Sequence, residues 1–223
     1  KTTQRKNRRD VFKVALVGYT NTGKSTLMNQ LTEAESLVEN KLFATLDSTI
    51  RKIKKNFPYP VVLSDTVGFI DKLPHDLIAS FKSTLDEVRD ANLLIMMVDI
   101  SDSNAKRQIQ TTYNVINELG VAETDLLLVL NKVDKVSDPE IIKSEIQRHP
   151  EAIFISSKNG TGLDVLRNAI ISCYESKLAS FQISIKYKHA KLIPQIRKCA
   201  VIVQTDYADT FIRLDLRLPP GGK

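Results

Sequence analysis

Apolar residues along this chain come first as short unbroken runs and later as alternating positions, and the period changes near residue 177. The runs at residues 11–17, 61–64, 93–98, 126–130 and 152–155 have strand length and predict strands buried on both faces. Between them, apolar positions recur at helical spacing over residues 24–31, 76–89, 105–119, 139–148 and 163–174, the fourth opening with Pro139 in its first turn. Strand and helix in alternation predict an α/β fold, a mostly parallel sheet with helices on both faces. Residues 50–57 depart from this pattern. They are polar and basic and reach the next run through Pro58-Tyr59-Pro60, which predicts a hairpin adding one antiparallel edge strand.

Beyond residue 177, Phe181, Ile183, Ile185 and Tyr187 alternate with polar residues, as do Ile212, Leu214, Leu216 and Leu218. Two half-buried strands are expected, with a short amphipathic helix near residues 190–198 and a third strand at 200–204 between them. The chain thus divides into a basic linker or helix end (1–10), an α/β domain (11–176) and a small basic α+β domain (177–223). Tyr174, Phe181 and Tyr187 sit at strand or helix spacing and are expected in the core rather than as a base-stacking platform.

Composition narrows the class. A chain of 223 residues has room for one α/β domain of ordinary size and an appendage. With 42% hydrophobic and 26% charged residues it reads as a soluble globular protein, and no apolar run approaches the length that crosses a bilayer. Cys173 and Cys199 have no metal-ligand spacing and read as reduced core thiols of a cytoplasmic protein, with a monomer expected. The chain starts at Lys1 rather than methionine, as a piece of a longer protein would. Its net charge of +6 is unevenly spread: +4 over residues 1–10, −4 over 11–176 and +6 over 177–223. Basic ends around a mildly acidic middle suit contact with a polyanion, or else are solvated faces.

Four motifs carry the chemistry. Gly18-Tyr-Thr-Asn-Thr-Gly23-Lys24-Ser25 follows the first run and opens the first helix, the context of a P-loop. Its glycines let backbone NH groups turn toward phosphates, Lys24 can reach the β and γ phosphates, and the Ser25 hydroxyl can ligate magnesium. Asn21, Thr22 and Thr26 complete this nucleotide-binding set. Asp65-Thr-Val-Gly68 ends the third run, placing Asp65 to hold magnesium through water and the Gly68 NH to meet the γ phosphate. Between these motifs, Thr45 lies in a polar connection suited to a switch loop whose hydroxyl caps magnesium, with Ser48 and Thr49 as competitors. Asn131-Lys132-Val-Asp134 follows the run ending at Leu130, and Asp134 can accept hydrogen bonds from guanine N1 and N2, which adenine does not supply. Ser156-Ser157-Lys158 follows the last run, where an NH near Ser157 can meet guanine O6. Together they describe a P-loop NTPase that binds GTP and hydrolyses it, with Lys24, Thr45 and Gly68 at the reacting phosphate.

Two positions modify that reading. Phe69 follows Gly68 where Ras-type GTPases carry the glutamine that positions the attacking water. A phenyl ring cannot orient water, so slow intrinsic hydrolysis is expected, with stimulation by a partner. Asn21 matches the residue at which several GTPases use potassium between the phosphates, which makes K+ a candidate cofactor beside Mg2+. His75 is either a water-positioner or a helix-entry residue, and His149 and His189 read as surface residues.

The segment Phe43-Ala-Thr-Leu-Asp-Ser-Thr-Ile-Arg51, and above all the stretch from Asp65 to Leu85 beginning Asp-Thr-Val-Gly-Phe-Ile-Asp-Lys-Leu-Pro-His-Asp, resembles the HflX family of ribosome-associated GTPases. The resemblance covers residues 11–176 and extends to the basic leader at 4–9. It implies that Thr45 is the switch threonine, that Phe69 is typical, and that the partner is the large ribosomal subunit with its rRNA. The function implied is GTP-dependent splitting or rescue of stalled or idle ribosomes. Ser48 and Ile50 stand where that family usually has Pro and Thr, and the family's N-terminal domain is outside this chain. Competing readings are a GTPase of ribosome assembly or RNA maturation, and a GTP-binding module with little turnover.

Overall fold

The computed structural model describes residues 11–32, 49–53, 57, 59–66 and 86–218, without the side chains of Lys198 and Cys199. The chain divides into two compact units, Phe12–Ile171 and a second holding the residues from Ser172 onward.

The first unit is a six-stranded sheet in the order β2-β3-β1-β4-β5-β6. Its strands are β1 (Phe12–Val17), β2 (Thr49–Lys52), β3 (Val61–Asp65), β4 (Leu93–Asp99), β5 (Asp125–Asn131) and β6 (Ile153–Phe154). All neighbours pair in parallel except β2, which runs antiparallel to β3 at the edge, as the polar 50–57 stretch predicts. The central strands are apolar on both faces because both are covered: every residue from Leu93 to Val98 is at most 1% exposed. On one face, Ala15, Val17, Leu94, Met96, Leu128 and Leu130 form a core with Ile109 and Ile116. The latter two come from α2 (Ala105–Glu118).

The other helices are α1 (Lys24–Leu31), α3 (Pro139–Arg148) and α4 (Leu163–Ser176). Asp138 caps α3 by accepting from Glu140 N, and Pro139 fills the first helical position, where no NH is needed. Of the helix expected over 76–89, residues 86–89 are described and helical. Strand β6 is shorter than its 152–155 run suggests: Ala152 NH bonds to the His149 carbonyl in the preceding turn, and Ile155 leads into the bridge of Ser156 with Thr161.

The second unit is an antiparallel sheet in the order β7-β9-β8, from β7 (Ala179–Lys186), β8 (Val201–Tyr207) and β9 (Phe211–Leu218). A 3-10 helix (Tyr187–Leu192) and α5 (Ile193–Cys199) cover one face. Ile185, Ile212, Leu214 and Leu216 are buried there against Ala190, Ile193 and Ile196. Strand β8 runs past the expected 200–204 to Tyr207, with an irregular register between Ile202 and Gln204.

Three expectations need correction. Tyr174 is buried, but Phe181 is 53% and Tyr187 45% exposed. Phe181 lies on an edge strand, and Tyr187 has left the ladder for the 3-10 helix, so alternation alone did not bury them. Cys173 is half-buried rather than a core thiol.

Candidate functional site

The parallel strands bring five chain segments to one sheet edge. β1 ends at Val17, β3 at Asp65, β4 at Asp99, β5 at Asn131 and β6 at Phe154, all at the carboxyl side, where α/β sheets bind ligands. β1 lies between β3 and β4, so the loop after Val17 opens at the point where strand order reverses.

Backbone conformation shapes that loop. Gly18 has φ 141° and its missing Cβ would lie 2.2 Å from the Met97 carbonyl oxygen, so only glycine permits β1 and β4 to approach. Gly23 has φ 99°, and a Cβ there would meet Asn131 Nδ2 at 2.3 Å. Asn21, with φ 61°, takes the left-handed conformation that asparagine tolerates. The Thr22 hydroxyl donates to the Tyr19 carbonyl across the turn.

Lys24, 6% exposed, donates from Nζ to the carbonyls of Gly18 (3.1 Å) and Tyr19 (2.7 Å). Burial pulls its ammonium down from 10.5 to about 8, against the opposing pull of Asp65. A buried ammonium steadied by carbonyl oxygens is suited to an anion. Next to it, the Ser25 hydroxyl donates to Asp65 Oδ2 at 2.7 Å, joining α1 to the end of β3. A hydroxyl and a carboxylate in contact form a hard-oxygen donor pair that fits a magnesium ion sharing phosphate and water oxygens. Among the described residues no group of three or more His, Cys, Asp or Glu could hold a metal. Thr26 is half-buried in the first turn of α1.

The loops after β5 and β6 are tied to the P-loop by one side chain. Asn131, fully buried, donates from Nδ2 to the Thr22 carbonyl (2.7 Å) and Ser157 Oγ (2.9 Å), and its Oδ1 accepts from Ser157 NH (2.9 Å). Lys132, at φ 67°, donates from Nζ to the Asn21 carbonyl and to Asp99 Oδ2, each at 2.6 Å. Ser156 Oγ donates to Asp134 Oδ1 at 2.5 Å and accepts from Asn159 NH. Ser157 NH is thus committed to Asn131, whereas Lys158 is exposed at the loop.

The described part of the site gathers Gly18, Asn21 to Thr26, Asp65, Asn131, Lys132, Asp134 and Ser156 to Lys158 along the ends of adjoining strands. Thr45, Ser48, Gly68, Phe69 and His75 lie outside the described residues, as does the 1–10 leader. Sequence reasoning missed Asp99 and Ser101. Asp99 Oδ1 accepts from the Ser101 NH and hydroxyl while Oδ2 holds Lys132. Burial would raise the Asp99 carboxyl, but the Lys132 and Ser101 hydrogen bonds and the Lys132 charge bring it below its ordinary 3.8. The signal in the sequence was a carboxylate ending a wholly apolar strand beside the base loop.

Residues 13–132 match the family described as 50S ribosome-binding GTPase. GTPase HflX of Gluconacetobacter diazotrophicus is 41% identical over 218 residues, covering 98% of this chain and 48% of that protein. GTPase HflX of Escherichia coli K12 is 37% identical over 94% of this chain and 50% of its own length. The chain spans about half the length of the curated relatives it matches. Among solved structures, Aquifex aeolicus Era bound to GDP.AlF4- superposes with TM-score 0.59 at 25% identity, over 73% of this chain and 56% of that one. Era in complex with MgGDPNP and nucleotides 1506-1542 of 16S ribosomal RNA superposes at TM-score 0.61 with the same identity and coverage. No described helix is long and apolar enough to cross a membrane. With motif spacing, loop geometry and relatives in agreement, the chain belongs to the 50S ribosome-binding GTPases, in their HflX family.

Proposed function

We propose that this chain is the switch unit of a magnesium-dependent GTPase that binds the large ribosomal subunit and splits or rescues stalled or idle ribosomes. The observation that carries the reading is Asn131, whose side chain joins the phosphate loop at Thr22 to the base loop at Ser157, so that one buried amide sets the spacing between the two ends of a nucleotide. Lys24 meets the β and γ phosphates, Asp134 reads guanine, and an NH of the Ser156-Ser157-Lys158 turn, with Lys158 the candidate, meets O6. Ser25 and Asp65 would hold magnesium, which would neutralise charge on the transferring phosphate. Thr45 and Gly68 complete the site in the GTP state.

The HflX relatives and the 50S ribosome-binding description support the ribosomal partner, and the Era complex with 16S rRNA supports rRNA as a chemical class that this fold meets. Intrinsic turnover is slow because Phe69 supplies no group to orient water, and a potassium ion held near Asn21 would supply positive charge beside the phosphates. The test is GTP turnover of the chain alone and with purified 50S subunits, in potassium and in sodium buffer. Stimulation by the subunit is expected, with faster rates in potassium. Absence of stimulation for both this chain and the longer protein would overturn the ribosomal part, and equal rates in the two salts the potassium part.

A further inference from the structure

Thirty consecutive residues, 176–205, carry six Lys or Arg and no Asp or Glu. The fold gathers part of this charge on one surface. The 3-10 helix and α5 turn Ala190, Ile193 and Ile196 onto the sheet of the second unit, which leaves Lys188, Lys191 and Arg197 exposed. None of these three makes an ion pair with a described residue.

Two aromatic rings stand at the same end of the sheet. Tyr187, 45% exposed, is fixed by its hydroxyl, which donates to the Ala208 carbonyl at 2.8 Å. Ala208 follows Tyr207, which is 73% exposed and pairs in register with Ile212, a residue of the helix-covered face. A ring tied down through its edge while much of it meets water is pre-organised for stacking, at little entropic cost on binding. Two acids are near. Asp206 alternates to the opposite face, opposite Arg213 in register, and accepts from the Gln204 amide. Asp209 lies in the turn after Ala208 and bounds the patch.

We propose that the surface carrying Lys188, Lys191, Tyr187 and Tyr207 binds unpaired RNA, the lysines meeting phosphates and the tyrosines stacking on bases. Cations that make no ion pair with a described residue would serve any polyanion, but paired exposed rings add affinity only for a ligand with planar bases. The choice of RNA rests on the ribosomal role proposed above. The binding itself needs no guanine nucleotide.

The test is anisotropy of the full chain with a labelled oligouridylate of about 12 nucleotides, without nucleotide or ribosomes, at salt from about 50 to 200 mM. Lys188→Gln with Lys191→Gln is expected to weaken binding about tenfold and to flatten the salt dependence by roughly one unit of slope. Tyr207→Ala is expected to weaken it about fivefold or more with the slope unchanged, and Asp209→Asn to tighten it. Lys106→Gln with Lys143→Gln is the control, and circular dichroism melts report folding of every variant. Equal losses in the control, or equal affinity for polyglutamate of matched charge, would overturn the proposal, the latter assigning the surface to an acidic peptide. A chain that binds RNA in this way yet fails to turn over GTP leaves the site standing and removes the GTPase reading instead.

Discussion

The ammonium of Lys132 lies 2.6 Å from Asp99 Oδ2, and both side chains are largely buried, at 14% and 16% exposure. Asp99 ends β4 and pairs in register with Asn131, so a parallel ladder delivers the carboxylate beside the lysine that reaches back to the P-loop. Asp99→Asn removes the charge and leaves the lysine in a poorly hydrated place. A loss of about 2 kcal/mol is expected, discounted for the residual solvent access. In a thermal melt this lowers the midpoint by about 4–8 °C.

The same pair fixes an acid limit. The Asp99 carboxyl is depressed in the folded protein, so the unfolded chain takes up its proton first as pH falls. The stabilisation is present above the ordinary value of 3.8 and is lost as pH falls below it through the folded value. Wild type and Asp99→Asn should therefore differ in thermal midpoint at pH 7 and converge in strong acid. A constant gap down to complete acid unfolding would contradict this.

Lys24 acts with the same sign in an alkaline window. Its pKa falls on folding from 10.5 to about 8, so between those values the unfolded chain holds more protons and stability rises with pH. Nucleotide affinity should move the other way, because phosphate favours the charged ammonium. Above pH 8 it should fall by up to roughly tenfold per pH unit, measured by titration with a fluorescently labelled guanine nucleotide. A flat profile from about pH 7 to 9 would show that Lys24 stays charged in the free protein.

Glycine replacements separate clash from strain. At Gly120, φ is 72° and nothing lies within 4 Å of the position a methyl would take, so Gly120→Ala should cost only the left-handed backbone penalty, about 1–2 kcal/mol. Gly18→Ala adds a methyl 2.2 Å from the rigid Met97 carbonyl, and a loss above about 4 kcal/mol is expected. Denaturant midpoints of the two variants check the order.

Asp134 tests base choice. Replacing its carboxylate by the amide in Asp134→Asn turns one acceptor into a donor. Guanine affinity should fall roughly a hundredfold while xanthine, which offers an acceptor at C2, gains. Ser156 Oγ, which donates to Asp134 Oδ1, can accept from the new amide, so the fold should persist. Unchanged discrimination between the two bases would remove Asp134 from the base site.

The sheet and the order of the motifs are written in local pattern. Unbroken apolar runs require burial on both faces, and Gly18, Gly23, Lys24 and Ser25 between a run and a helix leave few alternatives to a phosphate loop. The polar edge strand β2 was legible for the same reason, since a strand with little apolar surface belongs at an edge. How the loops hold one another is a matter of three-dimensional packing. The contacts of Asn131 with Thr22 and Ser157, and of Lys132 with Asn21 and Asp99, join residues far apart in the chain, and no local period encodes them. Burial in the second unit was likewise not local. Phe181 and Tyr187 have the alternation of inward residues, but a small sheet covered by one short 3-10 helix and α5 has too little surface to enclose them.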